Sequence, residues 1–184
     1  GFGPITSMHP LRGAKGMLYE GGIREPLIVR WPNRIQAGSR CATPVMGIDF
    51  YPTFLAMMGD QHLPGQVLDG QNLLPLLEQR GEIPREALFW HFPAYLESYK
   101  DGIGPWRTTP ASAIRLGDYK LIEFFEEGTL ELYNIQDDPG ETTNLAQTLP
   151  SKRDELHARL KAWQYAIKAP IPRQKNPEYQ PPEN

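Results

Sequence analysis

Pro10-Leu11-Arg12-Gly13-Ala14-Lys15-Gly16-Met17-Leu18-Tyr19-Glu20-Gly21-Gly22-Ile23-Arg24-Glu25-Pro26 decides how the rest of the chain is read. These seventeen residues hold four glycines, two arginines and a lysine, and an apolar run, Leu27-Ile28-Val29-Arg30-Trp31, follows at once. Glycine reaches positive φ and lets backbone come close to a ligand. Lys15, between Ala14 and Gly16, can therefore be presented where a bulkier loop has no access. On composition alone, a solvated lysine on a flexible loop is the plain alternative. The spacing is not that of a phosphate-binding P-loop, which needs Gly-x-x-x-x-Gly-Lys-Ser/Thr.

Working outward, the continuous apolar character of 27–31 predicts a strand buried on both faces, as in the parallel sheet of an α/β domain. Pro26 and Pro32 sit at its ends, where proline is tolerated. A helix is predicted over 50–58, with Asp49 as N-cap, Pro52 in its first turn and Gly59 as its stop. A second, over 72–79, places Leu73, Leu74 and Leu77 on one face. From Glu86 the pattern turns to strands: 87–92, 112–116, 119–125 and 129–134, with hairpin turns at Gly117-Asp118 and Glu126-Glu127-Gly128. The aromatic stretch 95–109 reads as a long functional loop. A helix over 152–168, capped by Ser151, carries Leu156, Leu160, Trp163 and Ile167 on one face to cover the strands, leaving His157 in solvent. Five prolines in 169–184 predict an extended, weakly ordered tail.

A chain of 184 residues is long enough to bury a sizeable core. The net charge of −3 argues against a general nucleic-acid binder. No apolar run reaches the eighteen residues of a membrane span, and Cys41, the single cysteine, has no partner for an intrachain disulfide. The opening Gly1-Phe2-Gly3-Pro4 lacks an initiator Met and a leader, so the chain reads as starting inside a loop of a longer protein.

Residues 10–25 resemble the glycine-rich loop of the sulfatases, the formylglycine-dependent arylsulfatase and glycosaminoglycan sulfatase family, and within it Leu11-Arg12-Gly13-Ala14-Lys15-Gly16 departs only at Ala14. The resemblance continues through Asp49-Phe50-Tyr51-Pro52-Thr53, Leu68-Asp69-Gly70, Leu88-Phe89-Trp90-His91, Ile114-Arg115-Leu116-Gly117-Asp118-Tyr119-Lys120-Leu121, Leu132-Tyr133-Asn134, Asp138-Pro139-Gly140-Glu141 and Asn144-Leu145. It implies an alkaline-phosphatase-like architecture. Residues 1–84 would end the catalytic α/β domain. Residues 85–168 would be an α+β subdomain, a roughly four-stranded antiparallel sheet packed by a long helix, and 169–184 a tail.

The resemblance also implies a mechanism. A cysteine in Cys-x-Pro/Ala-x-Arg becomes formylglycine, whose hydrate attacks a sulfate ester, while Ca2+ held by Asp and Asn neutralises sulfate oxygens. Lys15 matches the family's late sulfate-binding lysine. Cys41 sits in Cys41-Ala42-Thr43-Pro44-Val45 and does not fit the nucleophile motif. The nucleophile and the metal ligands are therefore expected outside these residues, and the chain alone is expected to be inactive.

The residues themselves offer further candidates. His91, at a strand end, could reach a leaving group or sugar, or be a locally hydrogen-bonded edge histidine. Tyr95, Tyr99, Trp106 and Arg107 could line a sugar-binding rim, since aromatic faces stack on sugars and arginine pairs with anions, or simply pack the loop. His9 enters the loop beside Pro10. Arg12 and Arg24 read as structural partners of carboxylates such as Glu20 or Glu25, and His62 as a surface residue.

The leading expectation is the C-terminal part of a sulfatase acting on a sulfated small molecule or glycan. A non-catalytic binding module and a phosphatase or phosphonate hydrolase relative stay open. Export to the periplasm or medium fits the family. Self-association through the incomplete sheet is expected.

Overall fold

The structure, a computed structural model, describes residues 6–59, 65–97 and 106–179. His62 and Tyr99 lie outside the described residues. By contact the chain divides into two compact units, Pro26–Arg85 and Gly1–Glu25 with Glu86–Asn184. Among the described residues no helix is long and apolar enough to cross a membrane.

In the 26–85 unit the expected strand over 27–31 does not form. A strand is completed by a neighbour's N–H and C=O groups, and no described strand pairs with this segment, so Leu27 and Ile28 are exposed. A 3-10 turn, Gly47–Asp49, leads into helix α2, Phe50–Met57. Asp49 does not cap that helix. Its buried carboxylate accepts from the Met46 N–H at 2.7 Å and the Gln71 N–H at 2.9 Å, and receives Arg85 as an ion-pair partner. Burial alone would raise the Asp49 pKa, but these bonds hold it below the usual carboxylate range. Thr53 extends the same knot: its hydroxyl donates to Asp49 O and accepts from the Leu73 N–H. Helix α3 is shorter than predicted, Leu74–Leu77. Asn72 Oδ1 accepts the Leu74 N–H at its start, and Gln79 adopts positive φ just past its end.

The other unit is built on strands β1 (Ala87–Phe92), β2 (Leu96–Glu97), β3 (Trp106–Thr108), β4 (Ala111–Leu116), β5 (Tyr119–Phe124) and β6 (Thr129–Asn134). Four form an antiparallel sheet in the order β1-β4-β5-β6, and β2 pairs with β3 in a small hairpin that the sequence does not signal. Gly117 and Gly128 take positive φ in the two predicted hairpin turns. Register sends alternate residues to opposite faces, and both faces are covered. Ile114, Leu121 and Leu132 pack with Leu156 and Leu160 of helix α4, Pro150–Ala166. Full burial of each such leucine stabilises by roughly 1.5–3 kcal/mol. Phe89 stacks on Trp163 at 4.8 Å on this side. On the other face Ala111, Ala113 and Ile122 meet Leu18, Tyr19, Trp90 and Phe124, so the glycine-rich loop itself is the second cover.

Three details of α4 differ from expectation. Ser151 is not the cap: Leu149 occupies that position, and Pro150 starts the helix, where its missing N–H costs nothing. Ile167 lies past the last turn and is exposed, while Gln164 is the buried residue and donates to Glu123 at 3.0 Å. His157 is bonded rather than solvated, with Nε2 at 3.2 Å from Glu123. Beyond β6, Asn144 Oδ1 accepts the Leu132 N–H and Leu145 N–H donates to Leu132 O. The tail is irregular through Tyr179 but fastened, Asn176 N–H and Tyr179 OH donating to Glu126 and Glu127.

Candidate functional site

The loop that carries Lys15 is shaped by backbone contacts that only glycine admits. A Cβ at Gly21 would sit 2.5 Å from both Arg12 O and Gly13 O, and one at Gly22 would sit 2.1 Å from Met17 O and 2.6 Å from Ala14 O. The chain therefore folds back tightly on itself. Gly21 N–H donates to Arg12 O at 2.7 Å and Met17 N–H to Ala14 O at 3.0 Å, and a one-turn helix, α1 (Glu20–Ile23), closes the loop. Gly13 and Gly16 take positive φ on either side of Ala14-Lys15. Ala14 is buried and Lys15 exposed, so one residue seats the loop and the next presents an ammonium.

Both limbs of the loop are tied to the sheet. The Arg12 guanidinium lies 3.9 Å over the Tyr19 ring, donates to Tyr133 OH at 2.7 Å and to Glu141 O at 3.2 Å, and is 3.8 Å from Glu131. Its carboxylate partner is thus Glu131, not Glu20 or Glu25. Tyr19 and Tyr133 both donate to Glu131 Oε2 at 2.8 Å, and burial first, then this carboxylate, pushes both phenols well above their ordinary pKa. Arg24 does pair with Glu20, at 3.7 Å.

Deeper in, Lys120 Nζ is wholly buried, 3.0 Å from Glu20 Oε1 and 2.9 Å from Glu141 Oε1. The sequence reading missed this group. Its signal was alternation: Lys120 shares a face with Ile122 and Phe124, the face that the loop covers.

The hairpin β2–β3 brings one predicted rim residue, Arg107, to the loop. Thr108 Oγ1 donates to Gly16 O at 2.5 Å, and a Cβ at Gly16 would meet Leu96 Cδ1 at 2.6 Å and Arg107 Nε at 3.4 Å. Arg107 is therefore beside Lys15's neighbour, and Trp106 packs against Tyr95 with ring centroids 5.2 Å apart. Tyr95 OH donates to Glu126, and burial together with that carboxylate pushes its phenol up to about 12.

His91 is placed elsewhere. It pairs with Ser112 in register on the face covered by α4, and both ring nitrogens have partners, Ser112 Oγ at 2.7 Å and Pro170 O at 3.3 Å. His9 is exposed at the loop entrance, its N–H bonded to Ser7 Oγ. Cys41 is exposed and so is not a buried structural thiol. Among the described residues no group of three His, Cys, Asp or Glu side chains could hold a metal ion. The described residues do not fit a calcium site.

The family described as N-sulphoglucosamine sulphohydrolase, C-terminal, matches residues 13–167. The chain is 38% identical to a sulfatase of Formosa agariphila over 186 residues, 92% of this chain and 32% of that protein. It is 32% identical to human arylsulfatase A, over 84% of this chain and 32% of that one. One solved structure, described as in complex with its substrate D-glucosamine-2-N,6-O-disulfate, superposes with a TM-score of 0.62 at 31% identity, over 81% of this chain and 30% of that chain. Another, Ps i-CgsB in complex with k-i-k-neocarrahexaose, superposes with a TM-score of 0.68 at 25% identity, over 85% and 32%. The chain spans about a third of the length of these relatives.

Proposed function

The chain belongs to the sulfatase family as a C-terminal part with the alkaline-phosphatase-like fold, and from that premise we propose that Lys15 is its contribution to sulfate recognition in a sulfuric ester hydrolase. A compact ammonium suits a sulfate oxygen as a point charge, and charge on the transferring group is best met by a cation held in place beforehand. One observation carries the reading: Lys15 is exposed between a buried residue and a glycine of positive φ, on a loop tied down at both limbs. Arg107, on the hairpin against Gly16, supplies an anion partner, and Trp106, its neighbour on β3, a sugar-stacking face at the rim. The substrate class is a sulfated sugar or small molecule, in keeping with the sulfated glucosamine and the carrageenan-type oligosaccharide named for two structural relatives. His91, with both ring nitrogens engaged on the other sheet face, takes the locally bonded role, and His9 stays a candidate at the loop entrance.

The family's calcium and formylglycine supply the Lewis acid and the nucleophile in a whole enzyme. This chain's residues bind and orient. The phosphatase and phosphonate hydrolase readings are not favoured, since the relatives above are sulfatases.

The test is an NMR titration of the chain with inorganic sulfate and with glucosamine 6-sulfate. Wild type shows shifts at Lys15, Gly16 and Arg107, and Lys15→Ala abolishes them while unfolding within about 0.5 kcal/mol of wild type, as an exposed side chain should. The isolated chain leaves 4-nitrophenyl sulfate intact. Equal binding by Lys15→Ala refutes the assignment, and turnover by the chain alone refutes the expectation that the nucleophile lies outside these residues.

A further inference from the structure

We infer that Glu141, acting with Lys120 and Glu20, is the positioning group that holds the Lys15 loop. The inference builds on the reading of Lys15 given above.

Both limbs of the loop converge on this one residue. Arg12, on the entering limb, donates to Glu141 O at 3.2 Å, and the Glu20 N–H, on the leaving limb, donates to Glu141 Oε2 at 2.6 Å. Lys120 then joins the two carboxylates from below, 3.0 Å from Glu20 and 2.9 Å from Glu141. The approach to Glu141 Oε1 is off the angle of a good hydrogen bond, so its contribution is that of an ion pair. Glu20, Lys120 and Glu141 are at most 2% exposed. Arg24, 3.7 Å from Glu20, brings the count to two carboxylates and two cations, and Arg115 faces Glu20 from β4. A buried ionic group of this kind is a poor way to add stability, because desolvation consumes most of the attraction. Its advantage is a fixed geometry.

The backbone supplies an independent observation. Glu141 has a φ of +53°, a left-handed conformation that glycine adopts freely and other residues at a cost. The turn before it presses on the loop entrance, since a Cβ at Gly140 would stand 2.9 Å from Pro10 O. A position whose backbone favours glycine nevertheless carries a long carboxylate, and that carboxylate reaches the loop. Such strain is retained where the side chain has a task.

The glycine variant separates the two accounts. If Glu141 served only the turn, Glu141→Gly would be at least as good. If it positions the loop, Glu141→Gly frees it. By hydrogen exchange on the full chain, Glu141→Gly is expected to speed exchange of the Glu20 and Gly21 amides at least tenfold (about 1.4 kcal/mol of opening free energy). The Leu121, Ile122 and Leu132 amides stay within twofold. Glu141→Gln still accepts the Glu20 N–H and restores protection to within threefold. Should the glycine variant not fold, Glu141→Asp, with its carboxylate drawn back by one methylene, must show the same loop-confined loss. Unchanged loop protection, or loss spread equally through β4–β6, overturns the inference. Sulfate titration reads the other assignment separately: if the exchange pattern holds and sulfate moves Lys15 in no variant, the sulfate reading falls and the positioning role stands.

Discussion

Gly22→Ala sets two physical effects in direct opposition. Gly22 lies in the one-turn helix α1, where helix propensity alone favours alanine by about 1 kcal/mol. The new methyl carbon would stand 2.1 Å from Met17 O and 2.6 Å from Ala14 O. Both are backbone atoms, and the nearer is about 1 Å inside the closest approach that a Cβ tolerates. Neither can rotate away, so the turn must open and strain its bonds from Met17 N–H to Ala14 O and from Gly22 N–H to Tyr19 O. Overpacking costs roughly 1–3 kcal/mol and each lost bond about 0.5–1.5 kcal/mol, against a propensity gain of about 1 kcal/mol. The net expectation is a loss of roughly 1–5 kcal/mol, about 2–20 °C in melting temperature for a chain of this size. Scanning calorimetry measures it, with Gly47→Ala, which has open space around its Cβ, as the control expected within about 0.5 kcal/mol of wild type. A Gly22→Ala protein as stable as wild type, or more so, would refute the reasoning, because propensity would then have outweighed the contact.

The core and the 26–85 unit offer further tests. Leu160→Ala, at a site with no exposure among Ile114, Leu121 and Leu132, should cost roughly 2–5 kcal/mol in urea denaturation. The depressed pKa of Asp49 means that its contribution is fully present above the unfolded value near 3.9 and is lost as pH falls through the lower folded value. The Met46 and Gln71 amides should therefore lose protection in acid, whereas Asp49→Asn should lose it already at neutral pH. Phe50, Tyr51, Phe54 and Met58 leave α2 with an exposed apolar face, so the chain should bind an apolar dye and self-associate. A Phe54→Asp/Met58→Lys double variant should lose at least half the dye signal, and an unchanged signal would place the sticky surface elsewhere.

Hairpins and the long helix were legible because their causes are local. Gly117-Asp118 and Glu126-Glu127-Gly128 turn the chain, Thr129 to Asn134 alternate, and Leu156 and Leu160 recur at helical spacing. The failures lie where a distant partner decides. Leu27 to Trp31 has the composition of a strand, but a strand exists only with a neighbour. Asp49 precedes a helix as a cap should, yet Arg85, thirty-six residues on, claims its carboxylate. Lys120 reads as a surface residue until the opposite sheet face is known to be covered by the loop. Of the candidate site, Lys15 was legible as a motif. The β2–β3 hairpin that brings Arg107 to it was not, because Leu96 and Thr108 pair across an irregular register.

Asn144 and Leu145, which occupy the N–H and C=O of Leu132 beyond β6, have a consequence for how this sheet meets other molecules. An outermost strand is a template for strand-to-strand addition unless its polar groups are taken. At the middle of β6 they are taken, by a side-chain amide that mimics backbone and by one further residue of the same chain. Fibril growth or intermolecular sheet extension is thereby directed away from β6, and a destabilised chain that aggregates will do so by another surface.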